Sequence, residues 1–326
     1  MLHVRLTAPH DLAEAALARV RDDPTVVHLV VLRGVVVDCD GDLLTFDLAR
    51  ENANGVLGDL RDMGIEQSGS LRVDEAETLM SDAADRAEEI APGEPVDAVI
   101  WDAVEERAAV DARWSWSFLA FMVLATLIAS VGRYLDQPIL IVGAMVVGPE
   151  FAPLACVCFA LARRSWGLIG PATFTLATSM GLAALASYAL WQVADLVGVV
   201  EERAATTGRL TEFIVAPDVW SFVVAVLAGI AGVLSLTAAK SSTLVGVFIS
   251  VTTVPAIGTL GLTLAVGAWG EAWSSVVQLA INVAGIVLAG TLTLLVQSAI
   301  WRPGRGGPRW SRREGGPAAP AVDAGG

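Results

Sequence analysis

The residues most able to do chemistry in this sequence lie in stretches otherwise nearly free of polar side chains. Gly148-Pro149-Glu150-Phe151-Ala152-Pro153 sets two prolines four apart, and one carboxylate, inside the apolar run 137–162. Each proline lacks an amide donor and crowds the preceding turn, so a helix should be interrupted here. Carbonyls released by a break cannot face lipid, so this backbone must be buried in protein or line a wet cavity. Glu150 is the one ionisable side chain deep within any apolar run. A carboxyl in that setting is costly to keep ionised alone, which suits it to binding a proton or a cation. A glutamate at an aqueous vestibule, or one capping the second half of a broken helix, would account for the same residue.

A second interruption falls at Pro255, preceded by Ser250, Thr252 and Thr253. Their hydroxyls either meet a solute or bond to their own helix backbone. Gln278 and Asn282, four apart on one helical face, must point at protein or water rather than lipid, as helix–helix contacts or as solute contacts. The candidate solute- or ion-binding set is therefore Gly148, Pro149, Glu150, Pro153, Ser250, Thr252, Thr253, Pro255 and Asn282.

Other reactive types read as structural. Cys156 and Cys158 sit within an apolar run and read as small packing residues, while His3, His10 and His28 all lie near the N-terminus. Asp38-Cys39-Asp40-Gly41-Asp42 alternates carboxylates as calcium loops do, but lacks the later bidentate acid, so it reads as a hairpin turn. No Ser-His pair, zinc motif or phosphate loop falls in a plausible site. No catalytic residue, metal or cofactor is expected, and the chain does not read as an enzyme.

The elements that hold these residues follow from an uneven composition. The chain has 326 residues, 54% hydrophobic and 17% charged, with mean hydropathy +0.60. Residues 1–113 hold 25 of the 35 acids and 10 of the 21 bases, a net of −15, whereas residues 114–301 hold 14 charges in 188 positions. An acidic soluble head thus precedes a membrane domain, which excludes a soluble enzyme, a disordered tail protein and a basic nucleic-acid binder. Six runs are long enough to span a bilayer, roughly 114–132, 137–162, 165–194, 218–239, 241–268 and 272–301. Arg163, Arg164, Lys240 and the arginines after 301 fall on one side if the N-terminus is cytoplasmic, with Arg133 and Asp136 offsetting each other outside. Both termini are expected in the cytoplasm of a multi-pass cell-membrane protein, with residues 302–326 a basic, then Pro/Gly/Ala-rich disordered tail.

The two halves of the membrane domain repeat. Trp116-Ser117-Phe118 and Trp220-Ser221-Phe222 open equivalent runs. Val142-Gly143 aligns with Val245-Gly246, Leu161-Ala162 with Leu264-Ala265, and Trp166 with Trp269, at an offset of 103. Pro153 and Pro255 fall at matching depth. A unit of three helices must place its copies in opposite orientations, the inverted repeat of many secondary transporters.

In the head, residues 1–90 read as β-α-β-β-α-β, a ferredoxin-like α+β domain. Strands are expected at His3–Thr7, Val26–Val37, Leu43–Leu48 and Gly69–Val73. Helices are expected at Leu12–Val20, capped by Asp11, and at Glu51–Met63, ended by Gly64. An acidic helix over Asp74–Ile90, a hinge at Ala91–Pro95 and a linker helix over Val96–Arg113 follow, the last packing between head and membrane domain.

Val142-Gly143-Ala144-Met145-Val146-Val147-Gly148-Pro149 through Pro153 resembles the signature of the domain of unknown function 389 family, a hydrophobic bacterial and archaeal membrane domain. Leu234 through Ser241, Thr253-Val254-Pro255-Ala256 and Asn282 through Gly290 are similar to it as well, so the resemblance spans about 115–300. It departs from the family pattern at Gly148, where many relatives carry serine, and at Ala256, where they carry a second proline. The resemblance implies an integral membrane protein with no set substrate, often preceded by a soluble head. Two functions fit: a secondary transporter or channel-like protein for a small solute or ion, regulated by its head, or a non-transporting sensor or scaffold whose head binds a ligand or partner. The partners expected are the lipid bilayer, a second copy in a homodimer, and the solute or ion, with no nucleic acid.

Overall fold

The computed structural model describes residues 1–38, 40–75, 79–91, 99–200, 210–212, 218–237 and 252–300. The chain is mostly helical, with a small antiparallel sheet at its N-terminal end.

Alternating polarity builds that sheet. Strand β1 (Leu2–Pro9) buries Leu2, Val4, Leu6 and Ala8 and turns His3 and Arg5 outward, as the two-residue period of a strand requires. It lies between β3 (Gly41–Leu48) and β4 (Ser70–Glu75), and β2 (Val26–Val36) pairs with β3, giving the order β2-β3-β1-β4. Helices α1 (His10–Val20) and α2 (Ala53–Asp62) close one face, with Ala16, Leu17, Val56 and Leu60 packed on Val4, Leu6 and Phe46. Each such leucine or phenylalanine contributes about 1.5–3 kcal/mol. Gly64, at φ +82°, separates α2 from the short α3 (Ile65–Ser68).

Two boundaries differ from the sequence reading. Asp11 does not cap α1; the helix starts at His10, and Asp11 sits in its first turn, where a negative charge suits the helix dipole. The acidic helix expected from Asp74 starts later, because Asp74 and Glu75 extend β4 opposite His3 and Leu2. Helix α4 (Asp82–Ile90) begins where the Ser81 hydroxyl accepts the amides of Ala83 and Ala84.

The next helix, α5 (Trp101–Asp111), is fastened to the head by one side chain. Asn54 of α2 donates from Nδ2 to the Val99 carbonyl (2.7 Å), and its Oδ1 accepts the Trp101 amide (3.3 Å), while Ile100 enters the head's core. Asn54→Ala would strip partners from two peptide groups, each loss worth about 1–3 kcal/mol. Faster proteolysis between head and α5 is the expected result; unchanged cleavage would show the clamp to be idle.

The apolar runs become α6 (Trp116–Tyr134), α7 (Pro138–Val147), α8 (Phe151–Arg163), α9 (Ile169–Leu196), α10 (Val219–Thr237), α11 (Thr253–Ala265) and α12 (Trp269–Ile300). Four of these, α6, α9, α10 and α12, are long and apolar enough to cross a membrane. The pair α7–α8, bent by 56°, makes a fifth crossing if taken as one span, and α11 is a shorter apolar helix. Residues 241–251, the first part of the fifth run, lie outside the described residues. Ser115 caps α6 at the Phe118 amide (3.1 Å), and Asp218 caps α10 at the Ser221 amide (2.7 Å), so both Trp-Ser-Phe openings start a helix.

Helix α11 is held by close backbone approaches. Gly258 meets Thr126 and Ser130 of α6, and Gly261 meets Ser187 and Tyr188 of α9, the small-residue contact that substitutes for a hydrophobic driving force in lipid. Helix ends gather in two groups. Val99, Trp101 and Ala108 share a core cluster with Cys156, Phe159, Val233 and Leu294, seating α5 on α8 and α10 beside α12. At the ends of α6, α9 and α11, Tyr134 lies 4.8 Å from Trp191 between ring centroids, and Gln192 donates to the Ala265 carbonyl at 3.1 Å.

Candidate functional site

The break between α7 and α8 is local in origin. Helix α7 opens on Pro138, whose fixed φ suits a first position, and it ends where Gly148 turns extended ahead of Pro149. Helix α8 then starts at Phe151 with Glu150 immediately before it. Pro153 is the third residue of α8, and Pro255 is the third residue of α11. Amides in the first turn of a helix have no acceptor within it, so proline removes nothing there. These two prolines stand at the starts of helices, and the break ahead of α8 is the interruption that the sequence predicts. Helices α8 and α11 have thirteen residues each.

Glu150 is buried, with 2% of its surface exposed. Its Oε1 accepts a hydrogen bond from Thr253 Oγ1 at 2.8 Å, so the residue preceding α8 is tied to the first residue of α11. The two positions are 103 apart, the offset that aligns the halves in sequence. Oε2 is buried and has no hydrogen-bond partner among the described residues. The close fit depends on Gly148, since a Cβ there would collide with Glu150 Oε2 and come within 2.7 Å of Val254 Cγ2. Beside Thr253, Thr252 Oγ1 accepts from Asn282 Nδ2 of α12 at 2.6 Å. Gln278, one turn earlier on α12, is buried and its Oε1 lacks a hydrogen-bond partner among the described residues. The chain thus brings Gly148, Glu150, Thr252, Thr253 and Asn282 to one place, with Pro149 in the break itself; Ser250 lies outside the described residues. A carboxylate with one oxygen engaged and the other open can accept a proton, a cation or a donor on a solute.

Elsewhere the reactive side chains are engaged within the protein. Cys156 and Cys158 are buried, and Cys158 Sγ approaches the Ile286 and Val287 carbonyls at 3.9 and 3.8 Å, a packing contact between α8 and α12. In the head hairpin, Asp40 adopts φ +46°, and Asp42 accepts the Gly34 amide (2.8 Å) and His10 Nδ1 (2.8 Å). The Gly34 amide, then His10, hold the Asp42 carboxyl below the usual range. His10, Glu14 and Asp42 offer ligand atoms within 4.8 Å of one another, the described group best placed to hold a metal. Its oxygens already serve Gly34 and Arg33, however, with Glu14 2.6 Å from Arg33 Nη2.

The fold also makes contacts the sequence did not announce. Ser81 Oγ lies 2.9 Å from His28 Nε2, and His28 Nδ1 lies 2.7 Å from Asp47, which also contacts His3. Because Ser81 caps α4, this chain of contacts fastens α4 to the sheet. Arg133, read as a loop charge, is 1% exposed. It donates to Thr211 Oγ1 at 2.8 Å and lies 4.0 Å from Glu271 Oε2 at the start of α12. Asp136 accepts the amides of Leu210 and Thr211 (3.1 and 3.0 Å), tying the same segment down. Sequence alone does not show the burial of Arg133, since Thr211 and Glu271 are 78 and 138 positions away.

Residues 145–288, from the end of α7 into α12, match the family described as Domain of unknown function (DUF389). An uncharacterised protein of Methanocaldococcus jannaschii is 25% identical over 171 residues, which cover 52% of this chain and 51% of that protein. The chain spans about half the length of this curated relative. No solved structure matches it. The Glu150 cluster lies wholly within the residues that match the DUF389 family.

Proposed function

We propose that this chain is a multi-pass membrane protein of the cell membrane that moves a small solute or ion through a site at Glu150, under control of its N-terminal head. One observation carries the reading. A buried carboxylate, at the mouth of a broken helix, is bonded to the start of a second short helix and keeps one oxygen open. Intramembrane carboxylates are costly and concentrate on ion and proton paths. The matched lengths of α8 and α11, their prolines at the third position and the 103-residue offset support an inverted repeat of three helices each. On this reading there are six spans, two of them broken. The strand order β2-β3-β1-β4 with two helices on one face supports a ferredoxin-like head.

Orientation is read from where helix ends meet. The ends of α8, α10 and α12 gather at α5, on the side of the head, and Arg163 and Arg164 close α8 there. This agrees with cytoplasmic termini and a positive-inside rule. A single cysteine introduced in the head should resist an impermeant thiol reagent on intact cells; efficient labelling would overturn the orientation. The protein is further read as a homodimer, through the common two-fold pairing of such assemblies. A purely monomeric mass in detergent would contradict that. No cofactor, nucleic acid or enzymatic step belongs to this proposal.

The seat of α5 on α8 supports a second reading, in which head and helices form a sensor or scaffold that transports nothing. Reconstitution decides between them. Vesicles containing the protein and a pH-sensitive dye should show proton- or cation-dependent flux under an imposed gradient, whereas equal traces with and without protein would favour the sensor.

A further inference from the structure

The sheet face opposite α1 and α2 holds two arginines where electrostatics disfavours them. Arg5 of β1 and Arg72 of β4 are direct partners in the antiparallel register, and both are exposed. Cross-strand partners on one face lie within reach of each other, and like charges there are destabilising. The head is rich in carboxylates that could have been placed between them. Only Arg72 has one, Asp74 at 2.8 Å on its own strand; Arg5 makes no ion pair among the described residues. In the next row, Thr7 faces Ser70 with their hydroxyls 2.7 Å apart. Either oxygen can be the donor, so one hydroxyl hydrogen is left to point at a third group.

These four side chains line a pocket of about 540 Å³, within the range of small-molecule sites. Its wall is fixed by Gly69, whose place is so close to β1 that a Cβ would run into the Thr7 carbonyl. The β2–β3 hairpin adds Val36 and one carboxylate, Asp38, to the lining. A larger groove of about 810 Å³ shares Gly69 and Ser70 with the pocket and continues to Glu105 and Glu106 of α5 and Arg163 of α8.

We propose that this pocket binds a small oxyanion, a phosphate ester or a carboxylate, between Arg5 and Arg72, with the remaining hydroxyl hydrogen of the Thr7–Ser70 pair donated to it. Two guanidinium forks supply the planar donor pairs that such groups match. The anion relieves the facing cations and sits beside the groove that runs on to α5 and the end of α8. The site rests on the head alone and stands whether or not the membrane domain transports.

The test uses the full-length protein in detergent, titrated with pyrophosphate and with citrate at matched ionic strength, against a chloride control. Saturable binding of one or both is expected by calorimetry, and the stronger of the two separates phosphate from carboxylate chemistry. Arg5→Gln and Arg72→Gln should each weaken binding at least tenfold. Unliganded Arg5→Gln should melt no lower than wild type, because it removes one of two opposed cations from an exposed position; a merely structural arginine would give a lower melting temperature. Absence of saturable binding by either anion, or unchanged binding in Arg5→Gln, would overturn the proposal.

Discussion

Glu150→Gln should reduce any gradient-driven flux through reconstituted protein to background while leaving the protein folded. Glutamine keeps the length and shape of the side chain, and its carbonyl oxygen can still accept the Thr253 hydroxyl now 2.8 Å from Oε1. What disappears is the open, titratable oxygen, replaced by an amide that donates and cannot take up a proton or a cation. Interactions with a charged group are worth about 1.5–3 kcal/mol, so cation binding should weaken roughly ten- to a hundredfold. Elution volume and melting temperature should stay near wild type. Thr253→Val gives a graded companion: it leaves the carboxyl in place but unsupported, and flux should fall without vanishing. Wild-type flux in the Gln variant would end the assignment of Glu150 as the coupling group, whatever the solute.

Gly258→Ala should destabilise the helical domain by about 1–3 kcal/mol, and Gly258→Leu by more. A Cβ at this position would stand 2.7 Å from the Thr126 carbonyl oxygen and 2.9 Å from the Ser130 amide nitrogen, both backbone atoms of α6. Backbone cannot rotate aside as a side chain can, so α11 would have to move as a body, carrying Thr253 away from Glu150. Gly181 of α9 provides the control, since nothing lies within 4 Å of a Cβ added there. Gly181→Ala should be neutral or stabilising by up to about 1 kcal/mol, from the reduced entropy of the unfolded chain. Thermal unfolding in detergent separates the two substitutions. Equal melting temperatures for both would mean that the α6–α11 crossing is looser than its geometry requires.

Much of this architecture could be read from one-dimensional pattern. Two-residue alternation marked β1, and apolar runs of bilayer length marked α6, α9, α10 and α12, because each reflects a single surface repeated along the chain. Glu150 stood out because an acid within an apolar run has few reasons to be there. The offset of 103, applied to Glu150, lands on Thr253, but only the folded chain brings their oxygens together. Partners chosen by distant geometry left no such trace. Asn54 looks like any helix-surface polar residue, yet it holds Val99 and Trp101 some 45 positions on. Arg133 resembled a topology marker and is a buried cation facing Glu271. The end of β4 was misread because Asp74 and Glu75 suit a helix start locally, and pairing with β1 overrides that preference.

The seat of α5 sets an order on biogenesis. Trp101 leaves the ribosome long before the cluster it joins is complete, which takes residues from α8, α10 and finally Leu294 near the end of α12. The head can complete its own sheet early, since domains fold as units during synthesis, while Val99 and Trp101 wait with apolar surface uncovered. A nascent chain stalled before α8 would keep that surface available to chaperones and proteases. The apolar side of the linker is therefore covered only after α8 and α10 have followed it out of the ribosome.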